Sequence, residues 1–242
     1  LSLVIGTTPG NNINLSTDKI AGYRNFINKF WNISRFIIEY NNIFSDLNEK
    51  QLDNLKNLNI KIEDKKNLNL ADKWIISKTN DVIEKTTDKL NNYRIGEVGD
   101  LLYEFIWKDF ADWYIEIYKN KEYGCNKLVL QYSFINILKL LHPFAPFITE
   151  YVWDTIFNNS KIIKTDWPKA NIKINEKNID KNFEIIKNII SSIRNIRNEY
   201  NINPKVKLNS AIIENENIKL ISDNVKIIKA LGMLESIKIS KE

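Results

Sequence analysis

Apolar residues recur every three to four positions through most of this chain, and that spacing predicts amphipathic α-helices. The apolar face of the first helix is formed by Ile20, Tyr23, Phe26, Phe30, Ile33 and Ile37. Ser16 or Thr17 can cap the start of this helix, because a hydroxyl oxygen accepts a hydrogen bond from a free backbone N–H group. Residues 41–70 are polar and rich in Asn and Lys, so they predict a connection with at most one short helix.

Four further helices are predicted before residue 158. Their approximate ranges are 72–91, 97–119, 126–141 and 146–157. The segment 97–119 is apolar on most sides, which is typical of a central, buried helix. Pro143 ends the next helix, and Pro146 suits the first position of the one after it. We therefore expect residues 18–169 to form an antiparallel helical bundle, so the predicted fold class is mainly α.

The pattern changes after Trp167 and Pro168. The elements predicted there are a helix over 180–200, a strand over 207–214, a helix over 218–231 closed by Gly232, and a short strand over 236–240. We expect residues 170–242 to form a small α/β unit after the bundle, since short alternating segments favour strands. Residues 1–17 predict an irregular lead-in, with a turn at Pro9 and Gly10.

Composition and charge narrow the function only slightly. The chain has 242 residues and a net charge of +5, which is compatible with a polyanionic partner. The abundance of Lys, Asn and Ile is equally expected from an AT-rich coding sequence, so charge alone does not identify a partner. Gly and Pro are scarce, at seven and five residues, which disfavours an all-β or disordered chain. No apolar segment reaches the length of a membrane span, and the apolar start lacks the basic leader of a signal peptide.

Residues that could carry chemistry are few. Cys125 and His142 are the only residues of their types, so an internal disulfide and a zinc site of Cys and His are excluded. We interpret His142 as a helix-end packing and hydrogen-bonding residue, because nothing nearby in sequence supplies a catalytic partner. Asp109, Asp112 and Glu116 share one helix face. That face could hold a hard metal ion, but we favour a solvated, salt-bridged surface, and we expect no catalytic, cofactor-binding or metal site here.

Four segments carry a family resemblance. Residues 22–36 read Gly-Tyr-Arg-Asn-Phe-Ile-Asn-Lys-Phe-Trp-Asn-Ile-Ser-Arg-Phe, and residues 72–78 read Asp-Lys-Trp-Ile-Ile-Ser-Lys. Residues 103–116 read Tyr-Glu-Phe-Ile-Trp-Lys-Asp-Phe-Ala-Asp-Trp-Tyr-Ile-Glu, and residues 194–204 read Arg-Asn-Ile-Arg-Asn-Glu-Tyr-Asn-Ile-Asn-Pro. In this order they resemble the C-terminal half of valyl-tRNA synthetase, of the bacterial or organellar type. The His-Ile-Gly-His-like and Lys-Met-Ser-Lys-Ser-like elements of class I synthetases are missing, so we expect this chain alone to be non-catalytic.

The resemblance implies recognition of the anticodon arm of tRNA. In that family the anticodon loop lies against the first bundle helix and the tryptophan-rich helix. Carried over by position, the implied contacts are Lys29, Arg35, Phe36 and Ile115, with Asn14 and Asn25 as further candidates. Lys and Arg can bind phosphates or base edges, and an aromatic ring can stack on an unstacked loop base. Two simpler interpretations stay open: Phe36 as a residue at the edge of the core, and Arg35 as an exposed ion pair.

The resemblance also implies a parent enzyme that joins valine to its tRNA using ATP and Mg²⁺. The expected partners are valine tRNAs and an upstream catalytic domain of the same polypeptide, from which residues 1–17 would lead in. The chain would then stop before the helical hairpin arm of the family. We expect a monomer without membrane association, in the bacterial cytoplasm or an organellar matrix.

Two alternative functions of the chain remain open, as does the role of one pair of arginines. The chain could be the same domain of isoleucyl- or leucyl-tRNA synthetase, although the segment 22–29 disfavours both. It could instead be a helical protein-interaction scaffold that does not bind RNA. Arg194 and Arg197 share one helix face and could contact tRNA, the catalytic domain or a carboxylate in a salt bridge.

Overall fold

The structure is mainly helical. It is a computed structural model that describes residues 16–240 except 41, 61, 63–64, 175, 177, 210 and 215, and it also describes Leu3 and Ile5. The two strands among the described residues lie between residues 211 and 240. The expected fold class, a helical bundle followed by a small α/β unit, is confirmed.

Helix α1 spans Thr17–Arg35 and begins as the sequence predicts. The Ser16 side chain accepts a hydrogen bond from the backbone N–H of Lys19 at 3.1 Å, so Ser16 is the capping residue. The helix then widens without a break into a π-helical turn, Phe36–Tyr40, which we call π1. A widening of this kind inside a helix is uncommon and often marks a functional segment.

The polar connection contains one short helix, α2, over Glu49–Lys56. Helix α3 follows over Leu70–Asn91. The predicted third long helix is present but is not uniform: α4 over Ile95–Glu104 continues into a π-helical segment over Phe105–Ile115, named π2, and then into α5 over Glu116–Tyr118. The sequence pattern predicted a single α-helix here, because hydrophobic periodicity does not distinguish hydrogen bonds to residue i+4 from those to residue i+5.

Helices α6 and α7 span Lys127–Leu141 and Pro146–Phe157. Pro146 occupies the first turn of α7, as predicted. Every residue of α6 from Val129 onward is buried, including Lys139. The Lys139 ammonium donates to the backbone carbonyl oxygen of Asp166 at 3.1 Å, and burial lowers the pKa of this group to about 8.

The described residues divide into two compact units that are discontinuous in sequence. The first unit comprises Leu1–Asn67, Ile75–Ile115 and Asn126–Ile174. Its core contains an aromatic cluster around Phe134 on α6, whose ring centroid lies 6.3–6.5 Å from those of Phe30, Phe44 and Phe110. Aromatic contacts from α1 and π2 therefore converge on one buried helix.

The second unit comprises Leu68–Trp74, Glu116–Cys125 and Asn175–Glu242. Its elements are α8 over Ile179–Glu199, β1 over Ala211–Glu214, α9 over Ile218–Asp223, α10 over Val225–Gly232 and β2 over Ile237–Ser240. The strands pair in parallel, with Ala211 opposite Ile237. A crossover that contains α9 and α10 joins them, as parallel pairing requires.

The prediction of one continuous helix over 218–231 is wrong, because the helix is interrupted at Asn224. The Asn224 amide donates to the Leu220 carbonyl oxygen at 2.9 Å, and its side-chain oxygen accepts from the Tyr123 hydroxyl at 2.8 Å. A buried asparagine that bonds locally in this way competes with the helical hydrogen-bond ladder. Gly232 ends α10 as predicted, and Met233 after it takes a left-handed conformation.

Candidate nucleic-acid interface

A lysine of α1 is held on the surface of the first unit by two residues of π2. The Lys29 ammonium lies 2.5 Å from a carboxylate oxygen of Asp112 and 3.9 Å from the ring centroid of Trp107. The Lys29 side chain is 26% exposed and that of Asp112 is 50% exposed, so water reaches both groups. We call these three residues the Lys29 clamp.

The clamp rests on a stack of aromatic rings. The rings of Phe26, Tyr103 and Trp107 all contact one another. The Tyr103 centroid lies 5.0 Å from that of Phe26 and 5.6 Å from that of Trp107, and the Phe26 and Trp107 centroids are 6.4 Å apart. Phe26 is fully buried, whereas Tyr103 and Trp107 are half-buried. Because the ring of Trp107 is fixed by this stack, the position of the Lys29 ammonium over it is also defined.

The clamp fixes the position of the Lys29 ammonium and also supplies its counter-ion, the Asp112 carboxylate. A partly exposed ion pair contributes about 0–1 kcal/mol, and a cation over an aromatic ring contributes about 0.5–1 kcal/mol at an exposed site. A phosphate group that binds Lys29 must therefore displace Asp112 or share the ammonium with it. Sequence reasoning predicted Lys29 as a contact but did not predict the roles of Trp107 and Asp112.

Arg35 and Phe36 lie next to each other at the junction of α1 and π1. The Arg35 guanidinium is 2.9 Å from a carboxylate oxygen of Glu39, one turn further along, and both side chains are substantially exposed. The interpretation of Arg35 as an exposed ion pair therefore describes the protein in the absence of RNA. Phe36 is half-buried, so part of its ring faces solvent.

The remaining predicted contacts are placed differently. Ile115, the last residue of π2, is only 3% exposed and belongs to the core. Its side chain cannot touch a ligand at the surface of this structure. Asn25 is exposed on α1, and Asn14 lies outside the described residues.

The carboxylates of π2 and α5 have the salt-bridged surroundings that the sequence favoured. Asp112 pairs with Lys29, and Glu116 pairs with Lys119 at 2.5 Å. Among the described residues, no group of three or more His, Cys, Asp or Glu side chains is arranged to hold a metal ion. The interpretation of this helix face as ion-paired is confirmed for Asp112 and Glu116.

His142 also has the predicted structural role. Its Nδ1 atom lies 2.8 Å from the Thr149 hydroxyl oxygen, and that hydroxyl donates to the Ala145 carbonyl oxygen at 2.9 Å. The His142 ring therefore contacts the first turn of α7 from the end of α6. Burial lowers the pKa of His142, and the carboxylate of Glu150, 4.0 Å from Nε2, opposes that shift.

Arg197 has a role that none of the three open hypotheses named. It is only 5% exposed, and its guanidinium donates to the carbonyl oxygens of Asn203 at 2.9 Å and Val206 at 2.6 Å. It thereby closes the loop that follows α8. Its neighbour Arg194 donates to the Leu231 carbonyl oxygen at 3.1 Å. Arg197 is consequently a structural residue of the second unit and not a surface contact.

Comparison with known proteins places this fold and surface in a defined class. Residues 72–213 match the family described as the anticodon-binding domain of tRNA ligase. Because the match covers more than half of the chain, the chain belongs to that family. Within the described residues, no helix combines the length and apolar character needed to cross a membrane.

Several curated relatives of the chain are valine–tRNA ligases. The chain is 36% identical to the enzyme of Fusobacterium nucleatum over 98% of its own length and 27% of that relative. It is 35% identical to the enzyme of Carboxydothermus hydrogenoformans over 96% of its length and 26% of the relative. It is 34% identical to the chloroplastic/mitochondrial valine–tRNA ligase 2 of Arabidopsis thaliana over 97% of its length and 25% of the relative. The chain thus spans about a quarter of these relatives, and the resemblance to valyl-tRNA synthetase is confirmed.

Proposed function

We propose that this chain binds the anticodon arm of a valine tRNA as part of a valine–tRNA ligase. The observation that carries this proposal is the family match, together with the similarity to the three valine–tRNA ligases named above. The parent enzyme would join valine to its tRNA, and ATP and Mg²⁺ would act in a catalytic domain of the same polypeptide outside this chain. We propose a monomer in the bacterial cytoplasm or an organellar matrix, with 18–169 as the anticodon-binding bundle and 170–242 as the smaller domain.

The proposed contact surface follows one side of α1 to its carboxyl end. Lys29 and Phe36 are seven residues apart, which is two helical turns, so they lie on the same side of the helix. Arg35 borders this side, because successive residues of a helix point about 100° apart. Asn25 extends the surface toward the start of α1. The surface therefore offers two cations, an amide and the solvent-facing part of an aromatic ring to RNA.

Each cation is held by a carboxylate that a phosphate group can replace. Lys29 is paired with Asp112 and Arg35 with Glu39, both in partly exposed pairs. Replacing a carboxylate by a phosphate conserves the ion pair, and the released counter-ions of the RNA add a favourable term. Each carboxylate thus holds its cation in position before RNA binds. Breaking each exposed ion pair costs no more than about 1 kcal/mol.

Phe36 supplies the proposed contact with a base. A single-stranded loop presents unstacked bases, and these stack on aromatic side chains. Ile115 is buried, so we propose that it acts only through the shape of π2. Asn14 stays a prediction from the sequence.

The test is the affinity of Phe36→Ala for a valine tRNA and for the same tRNA with an altered anticodon. We expect the variant to lose about 1–3 kcal/mol with the unaltered tRNA and to discriminate less between the two. Phe147→Ala is the matched control, because Phe147 is 91% exposed on α7 and belongs to the same unit. If Phe36→Ala discriminates as well as the wild type does, Phe36 is a packing residue at the edge of the core. A protein-interaction scaffold, the alternative function, would not bind either tRNA.

A further inference from the structure

A cleft in the second unit carries three lysines that the proposed anticodon surface does not use. Lys207, Lys226 and Lys229 line it together with Glu122 and Glu235, and its volume is about 470 Å³. We call it the lysine cleft. We propose that the lysine cleft binds phosphate groups of the RNA backbone and forms a second contact surface for tRNA. This inference rests on the proposed function, because it takes RNA as the ligand of the chain.

The fold brings the three lysines together from two separate segments. Lys226 and Lys229 are three residues apart on α10, so their side chains share one face of that helix. Lys207 precedes Leu208, whose N–H donates to the Met233 carbonyl oxygen at 3.0 Å and whose carbonyl accepts from the Glu235 N–H at 2.9 Å. These two backbone hydrogen bonds fix Lys207 beside the end of α10.

The charge of the cleft is only partly compensated. Within the described part of the chain, none of its three lysines forms an ion pair, and Lys226 has only the backbone carbonyl oxygen of Glu122 at 3.4 Å. Several other lysines do have a carboxylate within 2.5–3.1 Å, namely Lys29, Lys73, Lys89 and Lys127. Other exposed lysines of the unit, such as Lys181 and Lys219, also lack an ion pair among the described residues, so the distinguishing feature of the lysine cleft is that three ammonium groups line one cavity. Such a cluster is the electrostatic signature of a site for a polyanion.

The lining selects backbone phosphate over other ligands. The described residues that line the cleft include no aromatic ring on which a base could stack, and lysine is a point charge that binds phosphate without a fixed geometry. The carboxylates of Glu122 and Glu235 can accept hydrogen bonds from ribose 2′-hydroxyl groups, which DNA lacks. The cleft therefore fits an RNA backbone and reads no sequence.

The test compares two triple variants of the 242-residue chain. The first replaces Lys207, Lys226 and Lys229 by Gln. The matched control replaces Lys181, Lys219 and Lys238 by Gln, which are exposed lysines of the same unit outside the cleft. Binding of unfractionated tRNA is titrated at several KCl concentrations, and thermal melting verifies that each variant is folded. If the first triple variant melts early, the double variant Lys207→Gln/Lys226→Gln replaces it, since both residues are exposed.

We expect the cleft variant to reduce the slope of log affinity against log salt by about 2–3 units, or about 2 for the double variant. The control should change the slope by less than half as much. Equal slopes for the two triple variants overturn the inference. Phe36→Ala, measured in parallel, separates this result from the proposed function: if that variant loses anticodon discrimination while the triple variants agree, only the lysine cleft is refuted. Failure of the wild type to bind tRNA refutes both.

Discussion

The effect of an Asp112 substitution on tRNA affinity distinguishes two roles for Asp112 in the Lys29 clamp. Either its carboxylate competes with a phosphate group for Lys29, or the intact ion pair is required for binding. Asp112→Asn keeps the shape of the side chain and removes the charge that holds Lys29. Because both side chains are partly exposed, we expect the free energy of unfolding to fall by about 0–1 kcal/mol. Lys29 stays above the ring of Trp107 at 3.9 Å, which contributes about 0.5–1 kcal/mol on its own.

The same substitution should strengthen tRNA binding. A phosphate would no longer compete with Asp112 for Lys29, so the gain is limited by the ion-pair energy, up to about 1 kcal/mol or roughly fivefold in affinity. Lys29→Met, which keeps an apolar side chain against Trp107, should weaken binding and flatten the salt dependence by about one unit. The two variants at the Lys29 clamp thus have opposite expected effects.

The assay is a filter-binding titration with tRNA at several salt concentrations. Asp81→Asn is the matched control, because Asp81 forms an exposed pair with Lys85 on α3 at 2.7 Å. That control should leave tRNA affinity unchanged. If Asp112→Asn weakens binding as much as Lys29→Met does, the intact pair is required for binding and the exchange of carboxylate for phosphate is refuted.

Three further predictions concern chemistry and stability. The purified chain should show no valine-dependent exchange of pyrophosphate into ATP, and exchange above background would contradict its non-catalytic role. Lys139 binds its proton less tightly when folded, with a pKa of about 8 against 10.5 for the exposed group. The unfolded chain therefore holds more protons at this site between these values, and the contribution of Lys139 to stability should rise with pH. In urea unfolding at pH 8–9.5, the free energy of unfolding of the wild type minus that of Lys139→Met should increase with pH, because Cys125 and the tyrosines titrate alike in both proteins. Parallel curves would exclude Lys139. Gly99→Ala should destabilise the chain by about 1–3 kcal/mol because its Cβ would overlap Ile5, whereas Gly22→Ala, with open space around it, should stabilise it by about 0.5–1 kcal/mol. A variant that melts at the wild-type temperature would contradict the prediction made for it.

Local signals in the sequence predicted the helix boundaries well. Ser16 caps α1 and Pro146 begins α7, because capping and the missing proline N–H act within one helical turn. The interruption at Asn224 was not predicted, since it depends on a hydrogen bond from Tyr123, a residue 101 positions away. The π-helical form of π2 was likewise missed, because apolar spacing does not report the hydrogen-bond register.

The candidate site was only partly predictable from the sequence, because it also depends on contacts between residues that are far apart in the chain. The family resemblance gave Lys29 as a contact, but its partner Asp112 is 83 residues away, and helical periodicity does not indicate which helices are neighbours. The resemblance also gave Ile115, which the structure places in the core. A family resemblance gives the position of a residue along a helix. It does not give the burial of the side chain, because burial depends on the packing of the neighbouring elements.

The most direct test of the proposed function is the affinity of the wild-type chain for two tRNA transcripts that differ only in the anticodon. One is a valine tRNA, and the other carries a replaced anticodon on the same body, so that every contact outside the loop is conserved. We predict that the chain binds the first more tightly by about 1–3 kcal/mol, the range expected for the loss of one well-stacked base. Equal affinities at every salt concentration would show that the chain does not recognise the anticodon.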